Sequence, residues 1–460
     1  MASHRQPLAS ADVAWLRMER PTNLMMITGV IMFDAPLDAQ AFKSMLEERL
    51  LIFHRFKQRV TDPHSNPHWE DDPHFSVDRH VHRIALPRPG GPQELKDLVS
   101  DFMNAPLDFN KPPWDMHLVE DFGEGCALIV RLHHCIADGI ALIHVLLSMA
   151  DEYFDASKLP AVRKQRQRDD GVLTSLVRPV AKVVTGTVKA TGAVLHEGME
   201  MILRPSRILE RAKQGMSIGA ATSKLLLMGA DSDTVFKGEL GVTKRAAWSE
   251  PMALQTIKDI GLGVGGKIND VLLATVAGAF RRYLLAHDEP VEEVNIRATI
   301  PVNLRPLDEA HRLGNHFGLV FLSLPVGLAD PEARLHEVKR RMDRLKYSAE
   351  APVTLGILQI LGSVPNEVQT QVVNLLSRSA STVMTNVPGP REKLHFLGSG
   401  LGQMMFWVPR TGSVSTGVSI ISYNGEVTLG VATDVQLIPD PEAIVAAFHE
   451  EFDALQQQFA

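Results

Sequence analysis

His133-His134-Cys135-Ile136-Ala137-Asp138-Gly139 stands where two differently patterned stretches meet. Before it, Cys126–His134 (CALIVRLHH) is a short apolar run that reads as a buried strand. After it, Ile140–Phe154 has the apolar spacing of a helix. The HHxxxDG string therefore occupies a strand-to-helix junction, a common place for catalytic groups. An imidazole with a reference pKa of ~6.5 accepts a proton from a hydroxyl near neutral pH, which makes His134 the candidate general base with His133 beside it. A carboxylate four residues on can fix the loop by pairing with a buried cation, so Asp138 reads as structural. Gly139 would give the backbone freedom to turn into the helix. By itself the string fits satisfied core histidines about as well as a site.

Working outward, Leu24–Phe33 (LMMITGVIMF) reads as a strand and Ala39–Leu51 as a helix. Beyond Trp248 the same alternation returns. Ile268–Leu285 is a helix with Asn269 as a plausible N-cap. Val294–Ile300, Phe317–Leu324, Ser381–Asn386, Ser413–Ser422 and Val427–Thr433 are strands, and Pro441–Phe459 closes as a helix. Both ends are α plus β and of similar size, giving lobes over 1–160 and 246–460. Residues 161–245 between them read as a basic helical connector, with fifteen Lys/Arg against eight Asp/Glu from Arg163 through Arg245. In it Leu173, Leu176, Val177, Val180, Val183, Val184 and Val188 share one helical stripe. The stripe fits either packing on the body or peripheral contact with anionic lipid.

The chain has 460 residues, 45% apolar and 22% charged, an ordinary folded composition. A formal charge of -7 supplies no global basic field for a polyanion, so nucleic acid is excluded as a partner. Two cysteines, Cys126 and Cys135, are too few for a disulfide framework and favour a reducing, cytoplasmic setting. The opening MASHRQPLASADVAWL has no apolar stretch of signal length. Apolar runs such as Val271 to Phe280 fall short of the ~18–20 residues that cross a bilayer.

The context of the motif adds an ordered set of matches. Ala105–Leu118 (APLDFNKPPWDMHL), HHCIADG, KGELGVTKRAAW (Lys237–Trp248), INDVLLATVAGAFRRYL, IPVNLRP (Ile300–Pro306), GNHFG (Gly314–Gly318), TNVPGP (Thr385–Pro390) and SYNGEV (Ser422–Val427) run along the chain. Through them it resembles the bacterial wax ester synthase/diacylglycerol acyltransferase family over nearly its full length. The resemblance implies the α/β fold of the CoA-dependent acyltransferases, shared with chloramphenicol acetyltransferase and peptide-synthetase condensation domains, in which two lobes face each other across a central tunnel. It implies that His134 takes the proton of an alcohol while the oxygen attacks an acyl-CoA thioester, with no cofactor and no metal. The acceptor would be diacylglycerol or a fatty alcohol, and substrates of that kind imply peripheral association with a membrane or lipid inclusion.

The resemblance also marks Asn269, from the family's ND motif, as the oxyanion donor, unless it only caps its helix. It departs at Pro112-Pro113-Trp114, where Pro-Leu-Trp is usual. The cation for Asp138 should come from Leu51–Val60: Lys57 aligns where arginine is commoner, with Arg59 and Arg55 as the others. Rival readings are a carrier-dependent or other-alcohol transferase of the same superfamily, and a non-catalytic lipid-binding protein. Five histidines, His64, His68, His74, His80 and His82, fit a solvated loop better than a metal site. Trp114, Trp248 and Trp407 read as core first and tunnel lining second. Arg305 suits a structural ion pair at least as well as a CoA phosphate.

Overall fold

A computed structural model of the chain describes residues 5–63, 65–154, 224–225, 227–305 and 313–459. The Leu173–Val188 stripe and most of the connector lie outside the described residues. The N-terminal lobe is built on a six-stranded sheet in the order His395–Phe396, Ser399–Trp407, Met26–Phe33, Gly125–His133, Trp114–Phe122, Val81–Ala85. Its central strands, MITGVIMF and GCALIVRLH, are almost wholly buried, which is why they read as continuous apolar runs without alternation. Met26–Phe33 and Gly125–His133 pair antiparallel, Met26 opposite His133. That register sets the two histidines at the sheet's edge beside Met25.

The C-terminal lobe carries a mixed sheet in the order Phe317–Leu324, Ile296–Asn303, Thr382–Pro388, Thr416–Tyr423, Glu426–Asp434, Lys244–Trp248, with Met252–Ala253 beside Glu426–Asp434. Helices Ile268–Ala286 and Pro441–Phe459 cover it, and Phe280, Val427, Leu429 and Phe448 are among the side chains of its core. Ile268–Ala286 is capped by Lys267, whose amide donates to Asp270 Oδ2 at 2.8 Å, and not by Asn269 as expected. Asp270 lies one position further in, where an acid can reach back to the cap amide.

The two sheets are not divided by chain order. Ser399–Trp407, within the stretch assigned to the C-terminal lobe, pairs with Met26–Phe33 and widens the N-terminal sheet, from Leu401 opposite Phe33 to Trp407 opposite Thr28. Lys244–Trp248, which straddles the boundary drawn between connector and C-terminal lobe, is the last strand of the C-terminal sheet. A third contact comes from helix Ser10–Met18, which packs on helices Glu350–Leu361 and Asn366–Arg378 of the C-terminal half. Ala14, Trp15, Met18, Met25, Phe317, Leu358 and Leu361 form one buried cluster there, joining the lobes over the edge where the histidines emerge. Among the described residues no single helix is both long and apolar enough to cross a membrane.

Candidate active site

The strand Gly125–His133 ends in two adjacent rings with different surroundings. The His133 amide donates to Pro113 O at 2.9 Å and the His134 amide to Met25 O at 2.8 Å, so the backbone of both is tied to neighbouring segments. His133 is fully buried. Its Nδ1 accepts from the Cys135 amide at 3.1 Å, and its Nε2 lies 3.0 Å from Glu19 Oε2. With Nδ1 occupied as an acceptor, the neutral ring carries its proton on Nε2, which is close to the carboxylate but makes no hydrogen bond with it among the described residues. His133 therefore holds the turn and is not placed to exchange protons with a substrate.

His134 is packed between aromatic rings. Trp15 stacks on it at 4.5 Å with planes 18° apart, and Phe317 lies at 5.8 Å on a tilt. Nδ1 is buried without a hydrogen-bond partner among the described residues. Burial pushes the pKa down to about 4, and the nearby Asp138 charge only partly opposes it. A cation in this apolar slot would lose its hydration, so the ring is neutral and able to accept a proton at neutral pH.

Asp138 has both carboxylate oxygens engaged. It is the N-cap of helix Gly139–Met149, with Oδ1 accepting from the Ala141 amide at 3.0 Å. Oδ2 accepts from Arg305 Nη2 at 2.8 Å and from the His316 amide at 3.0 Å. Arg305 follows strand Ile296–Asn303 of the other sheet, and the same nitrogen donates to Gly314 O at 2.6 Å. The expected partners are thus corrected: the cation is Arg305, and not Lys57, Arg59 or Arg55. The stretch that holds those three folds into a 3-10 turn and the strand Gln58–Thr61 of a small separate sheet. There Arg59 lies 3.5 Å from Glu70 and Arg55 stacks 4.1 Å above the Trp69 ring.

Loop 313–316 embraces the motif. Gly314, at a φ of 103° that favours glycine, donates to Ile136 O at 3.1 Å and accepts from the Asp138 amide at 3.3 Å. Asn315 Nδ2 donates to His134 O at 2.7 Å and to Asp12 Oδ1 at 2.8 Å. Asp12, Trp15, Glu19, Asn315 and Phe317 are thus site residues that sequence reasoning missed. Only GNHFG was visible, and only as a family match with no indicated contact.

Gly139 plays a different part from the one expected. Its φ is not left-handed, and a Cβ there would meet nothing within 4 Å. It opens onto a narrow apolar cavity between the lobes, about 100 Å³ in volume. Leu142, Val145, Leu146 and Met149 line the same cavity, so it follows the helix for about 15 Å at 1.5 Å per residue. Among the described residues Thr385 and Ser419, from the C-terminal sheet, bring the only polar side chains to its wall, and Thr385 Oγ1 donates to Ser419 Oγ at 3.3 Å.

Asn269 is not brought to His134. Its Oδ1 accepts from Asn386 Nδ2 at 2.6 Å within a second, polar cleft, which Lys258, Lys267, Lys346 and Arg391 also line. Strand Thr382–Pro388 separates the two spaces, with Thr385 and Val387 on one side and Asn386 and Pro388 on the other. The tryptophans are core. Trp114 Nε1 donates to Phe56 O at 2.9 Å and its ring stacks on His80, while Trp248 and Trp407 pack together at 5.6 Å. The histidines of residues 64–82 are dispersed: His80 Nδ1 bonds Trp114 O, His68 Nδ1 bonds Asn66 O, and His82 stacks on His117. His64 lies outside the described residues.

Comparison with known proteins converges on one family. Residues 8–272 match the wax ester synthase/diacylglycerol acyltransferase catalytic domain and residues 313–456 the WS/DGAT C-terminal domain. A probable diacylglycerol O-acyltransferase, tgs1, of Mycobacterium tuberculosis is 29% identical over 448 residues, covering 94% of this chain and 92% of the relative. The wax ester synthase/diacylglycerol acyltransferase from Marinobacter aquaeolei VT8 superposes with a TM-score of 0.69 at 20% identity, over 99% of this chain and 100% of that one. The first condensation domain of the CDA synthetase does so at 0.61 and 14% identity, over 100% and 98%, which places the fold in the wider two-lobe class. Family models that together span most of the chain mean that it belongs to the wax ester synthase/diacylglycerol acyltransferase family of acyltransferases.

Proposed function

We propose that the protein transfers a long-chain acyl group from acyl-CoA to the hydroxyl of diacylglycerol or a fatty alcohol, with His134 as general base. The observation that carries the reading is a neutral, aromatic-clamped imidazole at the head of the helix that lines an apolar cavity. His134 takes the hydroxyl proton as the oxygen attacks the thioester carbonyl carbon. The tetrahedral intermediate then expels CoA thiolate, which takes the proton back from the imidazolium, so the ring ends neutral. The acyl chain occupies the apolar cavity. Thr385, on the wall of that cavity, takes the oxyanion role in place of Asn269, whose amide faces the other cleft, once its hydroxyl turns from Ser419, to which it donates at 3.3 Å. The cations of that cleft suit the phosphates of CoA. Both acceptors reside in lipid phases, so peripheral association with a membrane or inclusion surface follows from the chemistry. Leu262, 75% exposed beside the cationic cleft, is one apolar contact available for it.

The test is product extraction from purified wild type and His134→Ala given palmitoyl-CoA with hexadecanol or dioleoylglycerol. Wax ester or triacylglycerol from wild type, lost in a folded variant, is the expected result, and the product ratio names the acceptor. Wild type that forms neither product and releases no CoA overturns the reading.

A further inference from the structure

We infer that Asp12 is a positioning residue of the transfer reaction, clamping the helix and the loop that shape the slot around His134. The inference rests on His134 being the reactive base. Asp12 and Trp15 are three residues apart on helix Ser10–Met18, close to one turn, and therefore share a face. Trp15 stacks on the imidazole. Asp12 Oδ1 accepts from both the amide and the side chain of Asn315, at 3.1 and 2.8 Å. Asn315 Nδ2 also donates to His134 O, and the next two residues of the loop supply the amide that holds Asp138 and the ring of Phe317. One carboxylate thus sets the register of a loop and of the first residue of the strand after it, which together touch His134 at its carbonyl, its ring and its Asp138 neighbour.

The carboxylate is kept there against its own solvation. Asp12 is 5% exposed, and burial raises its pKa to about 6; Asn315's hydrogen bonds and the charge of Arg55 lower it, and Asp138 adds to the rise. A packing role alone would be filled more stably by an apolar side chain. Asp12 lines neither the apolar cavity nor the cationic cleft, so its effect should appear in the chemical step and not in donor binding.

The experiment compares Asp12→Ala, Asp12→Asn and Asn315→Ala in the full chain. Asp12→Ala should lower kcat about 30-fold with KM for palmitoyl-CoA within about twofold, because misplacement of a catalytic group costs rate. Asp12→Asn keeps an acceptor oxygen for Asn315 and should recover most of that loss. Asp12→Ala with Asn315→Ala should be no worse than Asn315→Ala alone, since Asp12 acts through Asn315, which itself also bonds His134 O. A readout free of turnover is the His134 titration followed by NMR on labelled histidine. Release of the clamp admits water to the ring and moves its titration up towards ~6.5 in Asp12→Ala and not in Asp12→Asn. Wild type inactive with acyl-CoA would sink the assigned reaction while leaving this shift to be read. A folded Asp12→Ala with unchanged kcat or unchanged His134 titration, equal losses in Asp12→Asn, or multiplying losses in the double variant would overturn the positioning role. Should Asp12→Ala fail to fold, Asp12→Asn and Asn315→Ala still decide it.

Discussion

The acid limb of the rate profile is the most direct test of the slot around His134. Burial holds this imidazole at about 4, against an ordinary value of ~6.5. The difference corresponds to about 3 kcal/mol of preference for the neutral ring at 1.36 kcal/mol per pKa unit. The base is therefore competent well below pH 6, and kcat/KM should hold from pH 7 down to about 5 before falling. Asp12, at about 6, protonates within that window, so the profile is best taken on Asp12→Asn as well as wild type. The contribution of His134 to stability moves in the same sense, while Asp12, raised to about 6, takes its proton first in the folded chain and offsets it, so the stability arm is also read in Asp12→Asn. The unfolded chain binds a proton at His134 as pH drops below ~6.5 while the folded chain resists until about 4, so this contribution is lost progressively across that interval. Product should be measured by extraction and chromatography, because thiol dyes lose their response in acid. Activity with a limb at or above 6.5 in the Asp12→Asn background would mean that the ring is solvated, and the buried-base reasoning would be wrong.

Other consequences follow from single contacts. Arg305→Ala strips Asp138 of a buried charge partner at 2.8 Å and should cost about 3–5 kcal/mol of stability, read as a lower midpoint in urea unfolding; an unchanged midpoint would deny the pair its role. Thr385→Val keeps the shape and removes the hydroxyl, and kcat should fall roughly 100-fold or more if this group meets the oxyanion, whereas a change under threefold returns the donor to elsewhere. Gly139→Leu has space for its Cβ, so the protein should fold, but the side chain enters the cavity: transfer from palmitoyl-CoA should drop far more than transfer from butyryl-CoA. Charge reversal at Lys258 and Arg391 together should raise KM for acyl-CoA about tenfold or more with little change in kcat, and equal KM values would remove CoA from the polar cleft.

What could be read from the chain, and what could not, divides by the distance over which a residue finds its partner. Gly125–His133 and Gly139–Met149 announce themselves because a strand buried on both faces is a continuous apolar run and a helix repeats its apolar face locally. The HHxxxDG junction follows from those two alone. Ser399–Trp407 was not legible: SGLGQMMFW has two glycines and no alternation, and its strand character comes from pairing with Met26–Phe33 far away in the chain. Helices Glu350–Leu361 and Asn366–Arg378 escaped for a related reason, since the second buries Gln369 and Ser377 while leaving Val368 and Leu375 exposed, which inverts the pattern a reader looks for.

The site shows the same division in sharper form. His134 and Asp138 are named by a local string, but neither spacing nor propensity can say that Asp138 will meet Arg305 from the other lobe or that Trp15 will cover His134. The family resemblance points to Leu51–Val60 for the cation, a stretch in the same lobe as Asp138. The fold instead draws it from the facing sheet, so that one ion pair both orders the catalytic turn and locks the lobes together. That choice has a functional reason in the physics of the pair. Asp138 sets the start of the helix that lines the acyl cavity, Arg305 leaves the sheet that bears Thr385, and a buried charge pair tolerates little change in geometry. The proposed base, the cavity and the proposed oxyanion wall come from both lobes and are thereby held in one register, and an Arg305→Lys variant, keeping the charge but not the forked geometry, should separate the two effects: stability largely kept, kcat reduced.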